Sequence, residues 1–170
     1  GIAAEVRKES KRFVVEGAGY LELCERVEAL IHRKGGEPAF PCNICVNDVA
    51  AHDTAEVADR RVIAAGSIVK LDIGVHVDGF IADTALTVAL DDRHEALRQA
   101  AEDALGQAVE LMKAGVPASL MGKMIQESLR KAGFKPIWNL TGHEVGRYTI
   151  HAGFSIPNVG EGERRRLEAG

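Results

Sequence analysis

The pattern of apolar and polar positions divides the first part of the chain into helical and extended stretches. Apolar residues recur every three or four positions at 2–16, and more regularly at 19–33, where two glycines follow. That spacing predicts two amphipathic helices, the second ended by the glycine pair. Residues 38–47 have the pattern of a strand, and the polar stretch 48–66 is typical of a long loop.

Residues 67–90 predict a β-hairpin, because two alternating apolar runs flank the turn sequence Asp78-Gly79. Pairing around a two-residue turn places Asp72 and Asp83 on the same face, one diagonal step apart. Diagonal neighbours have Cα atoms roughly 7–8 Å apart, close enough for two carboxylates to hold common metal ions. The flanking residues are apolar, so we expect both carboxylates to point inward. A divalent cation there would offset the cost of burying unpaired charge.

Two more helices and a second extended region follow. Residues 92–113 repeat apolar groups at three and four, which predicts a long amphipathic helix closed by a glycine and a proline. Ser119 suits the N-cap of a helix at 120–132. Residues 134–159 return to strand-like and loop-like sequence. The order is thus two successive ααβ units, which indicates an α+β fold with helices packed outside an antiparallel sheet.

Composition limits the classes of function. The 170 residues predict a single domain over 1–170, and 46% apolar residues are enough for a core. A net charge of −4 argues against nucleic acid as a partner, and the apolar runs are too short to span a membrane. The start lacks a signal-peptide pattern, and three cysteines fit a reducing cytosol. We therefore expect a cytoplasmic protein.

The pair Cys42 and Cys45 forms a C-x-x-C. A zinc or redox role needs a second Cys/His pair or a helix N-terminus at the first cysteine. The surrounding residues predict a strand instead, so we interpret the two as ordinary strand cysteines.

Three histidines stand beside glycines or after strands: His52, His143 and His151. Taken singly, each is more often a loop or core residue than a ligand, and we interpret His32, His76 and His94 as surface residues. Two carboxylates on one sheet face plus a glycine-flanked histidine suit Mn²⁺, Fe²⁺, Co²⁺ or Zn²⁺. The residues alone thus predict a metal site of unspecified chemistry.

The sequence also resembles the type II methionine aminopeptidases of archaea and eukaryotes, a branch of the pita-bread metallopeptidases. Asp72 follows His52 by twenty positions, Asp83 follows Asp72 by eleven, and His151 follows His143 by eight. The pattern HAG-x-x-IPN favours type II over type I or prolidase-like relatives. The matching motifs are AFPCNICVND at 39–48, AAHDT at 50–54, LDIGVHVDGFIADTALTV at 71–88, NLTGHEVGRY at 139–148 and IHAGFSIPN at 150–158.

This resemblance implies a role for each matching residue. Asp72 corresponds to the carboxylate that holds one metal, Asp83 to the carboxylate that bridges two, and His143 to the imidazole ligand. His52 and His151 correspond to the non-ligand catalytic histidines that contact the substrate. The implied walls of the methionine pocket are Phe40 and Ile150.

The resemblance also implies an activity. Such enzymes remove the N-terminal methionine from nascent proteins and peptides with a small second residue, using water activated by two divalent metal ions (Co, Mn, Fe or Zn). The partner is a peptide or nascent-protein N-terminus, and the enzyme is a monomer. Contact with the ribosome is left open.

The chain departs from the family pattern at its end. The family site uses two further glutamates, both C-terminal to HAG-x-x-IPN. Glu161, Glu163 and Glu168 lie in a charged stretch, and we do not assign them as ligands. We therefore expect a pita-bread fold that is incomplete at the C-terminus, belongs to a longer enzyme, and is inactive or nearly so alone.

Three alternatives remain. A metal-free relative could act as a binding module, although its ligand positions are usually replaced, whereas Asp72, Asp83 and His143 are intact here. An exopeptidase of the same fold could cleave before proline. Finally, the two aspartates could cap turns without a metal.

Overall fold

A computed structural model describes residues 1–162 and 164–169 of the chain. The chain forms two compact units, residues 1–95 with 145–150, and residues 96–144 with 151–170. The first unit is discontinuous in sequence, because the short segment 145–150 returns to it. The single-domain assignment of 1–170 stays a prediction.

Two helices open the first unit. α1 spans Ile2–Ser10, a 3₁₀ turn follows at Lys11–Phe13, and α2 spans Tyr20–Arg33. The prediction of one helix over 2–16 was therefore wrong in its second half. The backbone becomes extended at Val14, and Phe13 and Val14 are both buried.

Three strands form an antiparallel sheet in the order β1-β2-β3: Glu37–Val46, Ile68–Val77 and Phe80–Ala89. The predicted hairpin is confirmed, with Val77 opposite Phe80. Asp78 and Gly79 have φ angles of 50° and 84°. Positive φ at both central residues is the geometry of a type I′ turn, which matches the twist of the flanking strands.

One face of this sheet carries the core of the first unit. Alternate residues of β2 are fully buried there, among them Leu71 and Ile73. Leu23, Val27 and Ile31 of α2 belong to the same cluster, and their helical spacing gives one continuous apolar stripe. The opposite face of the sheet carries Asp72 and Asp83.

The second unit contains two longer helices and a small two-stranded sheet. A 3₁₀ turn at Asp92–His94 leads into α3, Glu95–Leu111, whose residues from Ala96 onward belong to this unit. α4 follows, and then the antiparallel pair β4-β5. Their bounds are Ala118–Lys131 for α4, Thr141–His143 for β4 and Ser155–Pro157 for β5.

The start of α4 differs from the prediction. Pro117 occupies the N-cap and Ser119 lies within the first turn, so Ser119 is not the cap. The backbone N–H of Ala118 donates to the carbonyl of Arg165 at 3.0 Å. A distant segment therefore satisfies a helix-end donor that a serine hydroxyl was expected to satisfy.

α4 contacts the chain beyond β5 through its backbone. A Cβ built on the buried Gly122 would lie 2.1 Å from the carbonyl oxygen of Val159 and 2.8 Å from that of Pro157. Asn158 Nδ2 donates to the carbonyls of Ile137 and Leu140, at 3.1 and 2.7 Å. Residues 157–159 thus connect α4 with the loop that precedes β4.

Across the described parts of the chain, no helix has the length and apolar character needed to cross a membrane.

Candidate metal centre

The two aspartates of the hairpin lie on the sheet face opposite the helices. Asp72 pairs with Ala85, and Asp83 pairs with Gly74, which confirms the diagonal relation predicted from the turn. Asp72 is half-buried and Asp83 is exposed. The expectation of inward-pointing carboxylates was therefore wrong. Their apolar sequence neighbours point to the other face, because side chains alternate along a strand.

Asn43 of β1 stands beside this pair. It lies opposite Asp72, and its Nδ2 is 3.4 Å from Asp72 Oδ2. A weak amide contact of this length leaves the carboxylate oxygens able to coordinate a cation. Asn43 was not predicted as a site residue, although it directly precedes Ile44 in a strand whose alternate positions are buried.

A β-bulge in β1 brings Phe40 to the same face. Phe40 and Asn43 are three positions apart in β1, yet their partners Gly74 and Asp72 are only two positions apart in β2. One extra residue in β1 reverses the alternation of side chains between the two faces. Phe40 and Asn43 therefore lie on the same face, although strict alternation would place them on opposite faces. Pro41 lies inside this interval, and proline within a strand is a sequence signal for a bulge.

The ring of Phe40 lies directly over Gly74. A Cβ built on Gly74 would be 2.3 Å from Phe40 Cε1. Phe40, Gly74 and Asp83 are cross-strand neighbours on β1, β2 and β3. This row of three residues therefore runs from an aromatic ring to a carboxylate. The structure thus places an apolar surface next to the aspartate pair, as a pocket wall requires.

His52 lies on the loop after β1, and its side chain is exposed. Its φ angle of 63° is unusual for a residue other than glycine. The following residues fix the loop against β1. Ile44 N donates to Asp53 O at 2.7 Å, and Thr54 Oγ1 donates to Cys42 O at 2.8 Å.

Arg61 holds the same loop from its other side. Its guanidinium donates to both carboxylate oxygens of Asp53 at 2.9 Å and to Asp59 Oδ2 at 2.7 Å, and it lies 4.5 Å from the ring of Tyr20. Hydrogen bonds from Arg61 hold the pKa of Asp59 well below its usual range. The ion pairs of Arg61 with Asp53 and Asp59 therefore stabilise the loop that carries His52.

Cys24 and Cys42 belong to the core cluster behind β1, whereas Cys45 pairs with Lys70 on the other face of the sheet. Cys42 and Cys45 are buried strand residues, and Cys24 of α2 has its Sγ 3.2 Å from the carbonyl oxygen of Cys42. A hydrogen bond with the Cys42 side chain lowers the pKa of Cys24 to about 7. The same bond, together with burial, raises the pKa of Cys42 far above its ordinary value.

The segment 145–150, which carries Ile150, is attached to the hairpin turn. Tyr148 N donates to Gly79 O at 2.8 Å, and Arg147 Nε donates to Asp78 O at 2.9 Å. Ile150 itself is half-buried. The hairpin turn thus anchors the segment that ends at Ile150, the second residue predicted to line the pocket.

Tyr148 also packs on the side of the turn. Its ring fills the space where a side chain of Gly79 would lie, and it meets the half-buried His76 edge-to-face at 5.8 Å. His76 therefore packs against the turn and stays partly exposed, as its assignment to the surface allows.

His143 and His151 form a close pair in the second unit. Their ring centroids are 4.3 Å apart at an interplanar angle of 62°. His143 ends β4 and pairs with Ser155, and Ala152 N donates to Glu144 O at 2.9 Å. The short sheet therefore aligns a predicted ligand histidine with a predicted catalytic histidine.

The structure brings the predicted residues together in separate groups. Asp72, Asp83 and Phe40 share one sheet face of the first unit, and the second unit contains the histidine pair. Within residues 1–162 and 164–169, no three His, Cys, Asp or Glu side chains gather closely enough to hold a metal ion. Glu163 lies outside the described residues. The donors, carboxylate oxygens and imidazole nitrogens, nevertheless fit a borderline divalent ion.

An antiparallel sheet with helices outside it, and two carboxylates on its open face, define a protein of the pita-bread class. The chain belongs to metallopeptidase family M24, which matches over residues 1–170. Family membership implies a divalent metal cofactor.

Several methionine aminopeptidases are similar to this chain. The protein of Pyrococcus horikoshii is 46% identical over 158 residues, which are 93% of this chain and 54% of the relative. That of Methanothermobacter thermautotrophicus is 44% identical over 172 residues, 99% of this chain and 58% of the relative. The chain thus spans a little over half the length of these curated relatives.

The fold agrees with a solved structure. The crystal structure of methionine aminopeptidase from Thermotoga maritima has a TM-score of 0.90 with this chain at 26% identity, covering 99% of this chain and 72% of that one. The pita-bread fold expected from the sequence is therefore confirmed.

Proposed function

We propose that the protein is a metal-dependent aminopeptidase that removes N-terminal methionine from peptides and nascent proteins whose second residue is small. The observation that carries this proposal is the carboxylate pair, Asp72 and Asp83, one diagonal step apart on the open face of a family M24 hairpin. The similarity to curated methionine aminopeptidases supports the choice of substrate.

In this proposal Asp72, Asp83 and His143 hold two divalent ions, with Co²⁺, Mn²⁺, Fe²⁺ and Zn²⁺ as candidates. Such a metal pair supplies Lewis acidity and lowers the pKa of water held beside it. The carboxylates match this task because both are accessible on one face, and neither is committed to the core.

The two other histidines act on the substrate. His52 and His151 present exposed imidazoles, which can donate a hydrogen bond to the scissile carbonyl as it gains negative charge. The hydrogen bonds of Asp53 and Thr54 position the backbone that carries His52, and the ring of His151 contacts that of His143. Restricted donors lose less freedom when the transition state forms.

The methionine side chain requires an apolar surface. Phe40 offers a ring beside the aspartate row, and sulfur makes favourable contacts with aromatic rings. Ile150 offers a branched aliphatic side chain on the segment attached to the hairpin turn. Together these residues would select an unbranched thioether chain and leave the α-amino group directed at the metal ligands.

The proposal also covers partners. Its substrate is the N-terminus of a peptide or a nascent protein, so a transient contact with the ribosome is compatible with it. We propose a monomer that acts in the cytoplasm.

The test is release of methionine from Met-Ala-Ser by the protein as its gene encodes it, with Mn²⁺ or Co²⁺ added after chelation. Release should require metal, and Asp83→Asn should abolish it and weaken metal binding measured by calorimetry. Asp78→Asn is the matched control. It removes one carboxylate from the same hairpin at a position that tolerates asparagine, and should leave both readouts unchanged.

Two results would contradict the proposal. A folded wild-type protein that binds no metal and releases no methionine would instead indicate a metal-free binding module. Release of residues from X-Pro peptides, without release from Met-Ala-Ser, would indicate an exopeptidase that cleaves before proline.

A further inference from the structure

The backbone conformation at Gly74 does not require glycine. This residue lies in the middle of β2, paired with Phe40 of β1 between two register shifts and with Asp83 of β3 in regular register, and its φ lies outside the left-handed region. Glycine in a strand interior weakens the strand, and it often marks a place where another group approaches the backbone closely. The structure shows such an approach, by the ring of Phe40.

The contact is tight over one whole edge of the ring. A Cβ on Gly74 would lie 2.3 Å from Cε1, 2.4 Å from Cδ1 and 2.9 Å from Cζ of Phe40. Ordinary carbon–carbon contacts are about 3.5–4.0 Å. A single methyl group at this position would therefore push the ring about 1.2 Å or more away from the sheet.

The direction of that displacement matters for the site. Gly74 and Asp72 point to the same face of β2, since they are two residues apart, and Asp83 lies opposite Gly74. The Phe40 ring thus lies on the carboxylate face, and its height above the sheet is set by the missing side chain of Gly74.

We propose that Gly74 is a specificity-determining position, which fixes the depth of the apolar pocket by allowing Phe40 to lie flat on the strand. This inference rests on the proposed function, because it assigns Phe40 to the methionine pocket. With any larger residue at position 74 the ring moves outward, the pocket becomes shallower, and shorter substrate side chains are favoured over methionine.

The experiment compares kcat/KM for Met-Ala-Ser and norvaline-Ala-Ser, whose first side chains differ in length by one heavy atom. One methylene in an apolar pocket is worth about 10- to 200-fold in kcat/KM. Gly74→Ala should therefore lower the methionine-to-norvaline ratio by about 10-fold or more. The loss should appear mainly as a higher KM for the methionine peptide.

Two further variants separate this role from general damage to the sheet. Gly74→Ala combined with Phe40→Leu removes the clashing ring, so the methionine-to-norvaline ratio of the double variant should differ from that of Phe40→Leu alone by less than about 3-fold. The melting temperatures of these two variants should be the same. Gly106→Ala is the matched control, because no atom lies within 4 Å of a Cβ at that helical position. It should leave the ratio unchanged.

The outcomes are distinct. A wild-type protein that releases no methionine refutes the proposed function. A wild-type protein that is active, with a Gly74→Ala variant of unchanged ratio, refutes only this inference. If Gly74→Ala does not fold, a double variant that folds and matches Phe40→Leu supports the contact, and a double variant as impaired as Gly74→Ala overturns it.

Discussion

Gly122 and Gly106 should respond in opposite ways to the same substitution. Both are helical, and alanine in a helix interior is favoured over glycine by about 1 kcal/mol. At Gly106 the added methyl group meets open space, so Gly106→Ala should raise the free energy of unfolding by up to about 1 kcal/mol. At Gly122 the methyl group would meet two backbone carbonyls.

The cost at Gly122 follows from the distances. A Cβ 2.1 Å from Val159 O must retreat about 1.3 Å to reach an ordinary contact of 3.4 Å. Overpacking costs about 1–3 kcal/mol and occasionally more, and here both obstacles are backbone atoms, which cannot rotate away. Even after subtracting the gain in helix propensity, Gly122→Ala should lower the free energy of unfolding by about 2 kcal/mol.

The assay is thermal unfolding followed by circular dichroism, with urea unfolding as a second measure. For a domain of this size, 1 kcal/mol corresponds to about 2–4 °C in Tm, so Gly122→Ala should lower Tm by about 4–8 °C. Gly106→Ala should raise Tm by about 2–4 °C. If Gly122→Ala stabilises the protein as much as Gly106→Ala does, the close contact of α4 with residues 157–159 is wrong.

Three further predictions concern other parts of the molecule. Because Arg61 depresses the pKa of Asp59, this carboxylate stabilises the fold above its ordinary pKa and loses that effect as pH falls through its folded pKa. The difference in unfolding free energy between wild type and Arg61→Gln should therefore shrink on acidification below about pH 4, and a constant difference would contradict the pairing. Asn158→Asp replaces an amide that donates to two carbonyls with a carboxylate that can only accept, and should lower the free energy of unfolding by about 1–3 kcal/mol. Amide hydrogen exchange in residues 137–143 should become faster. Unchanged exchange there would rule out the bridge by Asn158. Under the proposed function, chelation should stop methionine release and Mn²⁺ or Co²⁺ should restore it, whereas release that survives chelation argues against a metal enzyme.

The hairpin shows what a sequence can predict well. A two-residue turn with an Asp-Gly pair fixes the register, and the register fixes which residues are diagonal neighbours. Asp72 and Asp83 were placed on one face by that argument, and the structure confirms it. The expected inward direction of these carboxylates was wrong, because the apolar residues adjacent to each aspartate in sequence face the opposite side of the strand.

Other features depend on partners that are far away in sequence. The start of α4 is capped by Arg165, 47 residues after Ala118, so no local pattern could have indicated that Ser119 is not the cap. The sheet face on which Phe40 lies depends on a single extra residue in β1, and the alternation of apolar and polar residues does not reveal that residue. Pro41 was the available signal for that bulge.

The roles of Asp72, Asp83, His143, His52 and His151 in metal binding and catalysis came from the resemblance, and they stay predictions. The residues themselves indicated only a site with oxygen and nitrogen ligands. Physical patterns locate polar groups on a face, but the reaction depends on distances between groups that lie on different elements.

The attachment of Tyr148 and Arg147 to the hairpin turn has a consequence for how the chain folds. Arg147 and Asp78 are 69 residues apart, so this contact closes a long loop, at an entropic cost that rises slowly with loop length. At a synthesis rate of roughly 5–20 residues per second, the turn would emerge from the ribosome about 3–14 s before its partner segment. During that interval Gly79 would lack its contact with Tyr148, and other nascent chains could reach it. They could also reach Phe80, which is 69% exposed even in the folded chain. The contact between the hairpin turn and the segment 145–150 therefore also sets how long the turn stays uncovered during synthesis.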